Sequence, residues 1–480
     1  MSEAVPNVLA ARYASERMRN IWSPVHKVIA ERKLWLVVLQ AQHDLGVEFA
    51  PDDPATVIAA YQSVITDVRL DSIAEREQLT KHDVKARIEE FNALAGYQHI
   101  HKGMTSRDLS ENIEQAQLKQ AISCVRDKVV AALAQLAELA VRYGAQPITG
   151  RTHNVAAQVT TLGKRFANCA DELLVAYTRL SELLERYPLR GIKGPVGTAQ
   201  DMLDLFAGDA TKVAKLEHRI ALALEFSPDN MFTSVGQVYP RSLDWDVLSA
   251  LVLTAAAPSN LATSIRLMAG NELVTEGFLP GQVGSSAMPH KMNTRSCERI
   301  NGLAVVLRGY ANMVGELAGD QWNEGDVSCS VVRRVALPDA CYAIDGVFET
   351  FLNVLAGFGA FPATIQTELT RYLPFLTTTK ILMAAVKQGT GRELAHEIIK
   401  TAAIASALDA RATGRSVNDL FDRLSASPLG LTRTELDALV SAPLELTGTA
   451  AAQINNVVAK VSDVISRHPE AARYTPHALL

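Results

Sequence analysis

Between Val159 and Tyr187 apolar residues return at alternating steps of three and four: Val159, Leu162, Phe166, Cys169, Leu173, Ala176, Leu180, Leu183 and Tyr187. A period sustained over about four heptads draws one apolar stripe along a helix, and such a stripe needs a partner surface. Ile122, Val125, Val129, Ala132, Leu136 and Leu139 repeat the pattern just before it, with Gly144 as a stop signal. Thr105 and Asp108 precede that series at capping-box spacing, although Asp stands where Glu or Gln is usual. Further helical patterns cover roughly 243–277, 298–319 and 330–357, and no convincing period-two runs occur in sets of four or more. Long rods in succession predict an all-α fold, an extended bundle whose open seams are covered by other copies of the same chain.

The flanking regions differ from the rods. Residues 1–111 read as a helical amino-terminal domain interrupted by Pro51 and Pro54. The rods are expected to end near Pro362 and Pro374, and 365–480 to form a small all-α domain punctuated by Gly389, Gly391, Gly414, Pro428 and Pro443, with a frayed tail from Arg473 to Leu480. Three domains, 1–111, 112–364 and 365–480, suit a chain of 480 residues. A net charge of −5 with scattered basic residues gives no footprint for nucleic acid or a membrane surface. The amino terminus has neither a basic segment nor an apolar run, and no stretch approaches the ~18 consecutive apolar residues of a membrane span, so a cytoplasmic location is expected. The five cysteines, Cys124, Cys169, Cys297, Cys329 and Cys341, are odd in number and show no metal-binding spacing, so reduced thiols, no structural disulfide and no metal site are expected. The Gly-rich turn 190–198 lacks the Gly-Lys-Ser/Thr ending of a P-loop and reads as a tight connection.

Chemistry concentrates in one stretch, Gly284-Ser285-Ser286-Ala287-Met288-Pro289-His290-Lys291-Met292-Asn293, followed by Glu298 and Arg299. Glycine and proline make it a loop, with Ser285 and Ser286 free to swing and Lys291 and Asn293 offering a cation and an amide donor. The string resembles the signature of the fumarase/aspartase superfamily, with every fixed position filled. Thr105-Ser106-Arg107-Asp108 near Asn112, and Gly150-Arg151-Thr152-His153 leading to Gln158, Thr160, Gly163 and Lys164, are similar to its two other signature regions. The resemblance covers nearly the whole chain. It implies a three-domain helical protein whose central helices form a twenty-helix bundle in a homotetramer, with each active site built from three subunits.

Within the superfamily the chain most resembles the adenylosuccinate lyase family, through Arg12-Tyr13-x-Ser15, Ile21-Trp22-Ser23, Lys81-His82-Asp83-Val84, Lys193-Gly194-x-x-Gly197-Thr198 and Ser330 to Arg334 after Gln321-Trp322. The resemblance implies a C–N lyase that needs no cofactor. It would release fumarate from two small-molecule substrates of purine synthesis, adenylosuccinate and its imidazole-carboxamide relative SAICAR. It casts Ser285 as the base, His153 as the acid that protonates the leaving nitrogen, and Lys291 and Asn293 as holders of the charge that builds on a carboxylate. Arg12, Tyr13, Ser330 and Arg334 match contacts around the nucleotide phosphate, Lys81, His82 and Asp83 another binding segment, and Thr105 and Ser106 contacts to the succinyl carboxylates, with Gln237 and Arg299 completing the set. His290 sits at the variable position of the signature and reads as a surface histidine.

Two departures concern ligand contacts: Gly325 stands where an arginine is usual, and Val155 where a glutamine is common. The alternatives are a sister lyase or cycloisomerase acting on argininosuccinate, aspartate or a cyclising substrate, and a catalytically silent helical scaffold. A scaffold needs none of Ser285, Lys291, Asn293 and His153.

Overall fold

The computed structural model describes residues 5–477 apart from 279, 280, 282–284 and 286, so Gly284 and Ser286 lie outside the described residues. The helix Ser106–Arg142, 37 residues long, is the spine. Thr105 and Asp108 start it as a capping box, Asp108 Oδ2 accepting the Thr105 N–H at 2.8 Å. Leu162–Arg186 and Ser328–Gly357 pack directly on it, and Ser242–Thr254, Ala256–Gly270 and Arg295–Gly315 complete the bundle by packing on one or both of those helices. The apolar stripe read from 122 to 139 is buried, as are Leu162, Phe166, Leu173, Leu180 and Leu183 on the facing helix. Lys128 reaches through the packed helices to Asp345 and, at 2.6 Å, to Glu349, so that buried charges are paired where the spine meets Ser328–Gly357. One apolar core extends from Leu9 and Trp35 through the bundle to Ile454, Val457, Val461 and Val464. A separate, smaller core joins Ile381, Ile399, Phe421 and Leu436.

Several expectations change. The rod expected from Val159 begins at Leu162, because 147–161 is an antiparallel hairpin, Pro147–Thr152 paired with Val155–Thr161. Its β-branched residues favour a pleated pair, and Val159 packs outside the bundle against Leu369, Leu373 and Leu376. The pattern over 243–277 is broken at Ala255 and ends at Gly270, after which Val274–Thr275 pairs with Gly359–Ala360. The last long rod ends at Gly357, shortly before Pro362; Pro362 itself starts a shorter helix, since a proline in the first turn removes only an N–H that has no helical partner, and that helix continues past Pro374 to Leu376.

The expected boundaries at 111/112 and 364/365 both fall inside helices. Residues from Ala450 onward return to the main core, leaving the small core to 375–440. The tail is docked through His477: Glu349 accepts its backbone N–H at 2.9 Å, and Asn353 Nδ2 donates to its carbonyl at 3.0 Å. Ser242–Gly270 has the length and mean hydropathy, 1.3, of a candidate membrane span, but 56% of that window is buried inside the protein and the stretch is two helices.

Candidate active site

Asp108 organises the start of the spine. Its Oδ1 accepts from Arg190 Nη1 at 2.6 Å and from the backbone N–H groups of Lys193 and Gly194 at 2.9 and 3.0 Å. Arg190 in turn donates to the Gly194 and Gly236 carbonyls at 3.0 and 3.2 Å, so the Gly-rich turn is held rigidly against the helix start and the 234–238 loop. Gly197 is needed there. At φ +87° it lies so close to the Val235 carbonyl that a Cβ would come within 1.8 Å.

Beside this junction lies a cleft of about 480 Å³ between the amino-terminal segment, the spine and the helix Ser328–Gly357. Its lining brings together five of the expected binding residues, His82, Asp83, Ser106, Ser330 and Arg334. Lys81, in a left-handed conformation at φ 54°, ends the helix Leu70–Thr80, and His82 caps the next helix by accepting the Lys85 N–H at 3.3 Å. Arg334 stands 3.6 Å from Asp83. Thr105 is the cap residue beside Ser106, half-buried at the same end of the spine.

Beneath the cleft is a buried charge network. Arg241 grips Glu111 through two bonds of 2.9 Å, while Arg333 donates to Asp244 and Glu114, each at 2.7 Å, and to Tyr239. Burial raises the Glu111 and Glu114 carboxyls, but Arg333 and the other cations around them outweigh it and hold both below the usual carboxylate range. Burial pushes the Tyr239 phenol well up. Paired in this way, the network is a fixed floor.

Lys27 and Arg107, which the sequence reading does not single out as ligand contacts, also line the cleft. Arg107 is the second residue of the spine, where the helix dipole disfavours a cation, and that position is the signal in the sequence that marks it.

The remaining residues fall elsewhere in one chain. The Arg299 guanidinium lies over the Tyr13 ring, 5.6 Å from its centroid, joining the exposed Arg12 turn to the start of Arg295–Gly315. Gln237 donates its backbone N–H to the Glu324 carbonyl at 2.6 Å, and its side chain packs on Gly325. His153 and Asn154, at φ 52° and 60°, form the two-residue tip of the hairpin, and both are exposed. Two positive φ angles fit the turn that matches strand twist, and His and Asn tolerate this region better than most residues.

In the signature loop, Ser285 Oγ accepts the backbone N–H groups of Met288 at 3.1 Å and Ala287 at 3.4 Å. Lys291 and His290 are exposed, and Asn293 is half-buried. None of His153, Ser285, Lys291 and Asn293 lines the cleft of its own chain. Among the described residues no group of three or more His, Cys, Asp and Glu side chains could hold a metal ion.

The family described as Lyase matches residues 11–309, and the family described as Adenylosuccinate lyase C-terminus matches residues 374–457. The chain is 34% identical over 460 residues to the adenylosuccinate lyase of Saccharomyces cerevisiae, covering 94% of this chain and 93% of the relative. It is 34% identical over 437 residues to that of Schizosaccharomyces pombe, covering 90% of each. In fold it is similar to the 3-carboxy-cis,cis-muconate lactonizing enzyme from Pseudomonas putida, with a TM-score of 0.80 at 20% identity over 95% of this chain and 99% of that one. It is similar also to fumarate lyase from Mesorhizobium sp. BNC1, with a TM-score of 0.78 at 20% identity over 95% of this chain and 100% of that one. With both halves of the chain matched and relatives of this identity aligned nearly end to end, the chain belongs to the adenylosuccinate lyase family.

Proposed function

We propose that the chain catalyses the β-elimination of fumarate from adenylosuccinate, giving AMP, and from SAICAR, giving AICAR, in the purine pathway of the cytoplasm. The observation that carries this reading is the setting of Ser285, whose Oγ receives two backbone N–H groups in a loop that also bears Lys291 and Asn293. Such donors favour the alkoxide over the hydroxyl, the direction a serine base needs. The alkoxide takes the proton from the carbon next to a succinyl carboxylate, and the electron pair moves onto that carboxylate. Lys291 and Asn293 hold the added charge, at ~3–4 kcal/mol per preorganised donor. The pair then forms the double bond as the C–N bond breaks, and His153 protonates the departing nitrogen, a step worth ~10²–10⁴-fold.

The working unit in this proposal is a homotetramer with sites shared among three subunits. The exposed apolar residues Leu253, Leu267, Val305, Val331 and Val335 on the bundle helices supply a seam for other copies. The hairpin tip of one subunit then brings His153 to the loop of another.

Fumarate release tests the reading, with adenylosuccinate, SAICAR, argininosuccinate and aspartate as substrates. Release from the first two alone is expected. No release from either of them overturns the proposal.

A further inference from the structure

We propose that Arg107 is a specificity-determining residue which, together with Ser330, holds the phosphate monoester of the substrate nucleotide. The inference rests on the adenylosuccinate lyase reading. Arg107 Nη2 donates to Ser330 Oγ at 2.7 Å across the cleft, joining the start of the spine to the start of Ser328–Gly357. Its other end donates to Glu111 at 3.1 Å. Glu111 does not depend on that contact for charge balance, because Arg241 already grips it through both oxygens and Arg333 lies 3.5 Å away.

Arg333 and Lys27 are less suited to the task. Arg333 is buried and engaged with Asp244, Glu114 and Tyr239. Lys27 is paired with Glu114 at 3.3 Å. The Arg334 side chain is 70% exposed in one chain, on a helix face that the proposed assembly covers, and stands 3.6 Å from Asp83, so it can add to the phosphate contact, whereas that of Arg107 is 12% exposed and already fixed in the cleft wall. The segment 320–332 contains no lysine or arginine, and Gly325 is closed off by Gln237, whose Cβ lies 3.1 Å from the position a Cβ at 325 would take. A planar, always charged, largely desolvated guanidinium beside a hydroxyl is the pairing that recognises a phosphate monoester. Ser330 Oγ accepts from Arg107 and keeps its own O–H to donate to a phosphate oxygen.

The test compares wild type, Arg107→Met and Arg107→Lys on adenylosuccinate and on its dephosphorylated form, succinyladenosine. Arg107→Met is expected to lower kcat/KM for adenylosuccinate about 10- to 100-fold, mostly through KM, the usual range for one hydrogen-bonded charge. Turnover of succinyladenosine is expected to stay within about twofold of wild type, and Arg107→Lys to fall between. Where succinyladenosine turns over too slowly to read, AMP and adenosine as product inhibitors give the same comparison. If Arg107→Met does not fold, Arg107→Lys and Ser330→Ala carry the comparison. Equal losses on both substrates in a folded tetramer overturn the proposal and assign Arg107 to the carboxylates or to the scaffold. Equal wild-type turnover of the two substrates overturns it as well. A wild-type enzyme that releases no fumarate from adenylosuccinate fails the function reading instead, which separates the two failures.

Discussion

Glu276 and Cys297 stand on either side of the signature loop, and Glu276 Oε2 accepts the Cys297 backbone N–H at 2.9 Å. Its other oxygen accepts the Ser296 N–H, also at 2.9 Å, so one buried carboxylate caps the helix that follows the loop. The stretch bearing Ser285, Lys291 and Asn293 is thereby closed at its base. Glu276→Ala leaves two helix-start donors unpaired, at about 1 kcal/mol each, and releases the loop. A lower Tm and a lower kcat are expected, with Glu276→Gln intermediate because its amide keeps one acceptor. Unchanged kcat in a tetrameric Glu276→Ala enzyme removes the clamp role.

Ser285→Ala and His153→Ala are each expected to abolish turnover while leaving substrate binding and assembly intact, since in the proposed mechanism both residues move protons in the transition state. Single-turnover fumarate release and equilibrium binding separate the two effects. Substantial kcat in Ser285→Ala contradicts its assignment as the base.

The exposed hairpin tip that carries His153 and the loop that carries Ser285 are expected to meet between subunits. Equimolar Ser285→Ala and His153→Ala chains, refolded together, then regain roughly one quarter of wild-type activity, because each residue comes intact with a chance of about one half. If mixed tetramers form and remain inactive, both residues serve a site within one chain.

His101 gives the stability a pH dependence. Burial lowers its pKa to about 4, and its Nδ1 accepts the Trp35 indole N–H at 3.0 Å, an arrangement that requires a neutral ring. The unfolded chain binds this proton near pH 6.5 and the folded chain only near 4, so stability is lost as pH falls through that window and is unaffected above it. The loss reaches roughly 3 kcal/mol below the folded pKa. Urea midpoints measured between pH 7 and 4 are expected to slope less in His101→Asn, which keeps an acceptor and tolerates the positive φ of 67°. An identical slope in the variant assigns the acid sensitivity to other groups.

Gly325→Arg is expected to damage the site and not to strengthen phosphate binding. Gly325 has φ +146°, a conformation that L side chains rarely adopt, and a Cβ there would press on Gln237 and Val238 at 3.1 and 3.3 Å. A cost of about 1–3 kcal/mol in stability follows from the backbone alone. A variant with unchanged Tm and a lower KM shows that the 322–326 turn can rearrange to receive an arginine.

The three segments proposed to carry the chemistry were legible in the sequence through their family resemblance. The amino-acid sequence by itself determined the long helices, the capping box at Thr105 and Asp108 and the stop near Gly144. Each of these depends on spacing within a few turns of one chain, and backbone geometry makes such spacing readable. Tertiary structure alone decided that Val159 belongs to a hairpin, because its place in the three-four series and its β-branched neighbours favour different elements. It also decided that Ile454 to Val464 close the main core while 375–440 form another, since an amphipathic helix does not name the surface it will cover. The pairing of Arg107 with Ser330, 223 residues apart, depends on how two helix starts meet, and that geometry is set by the packing of the whole bundle, not by any local pattern.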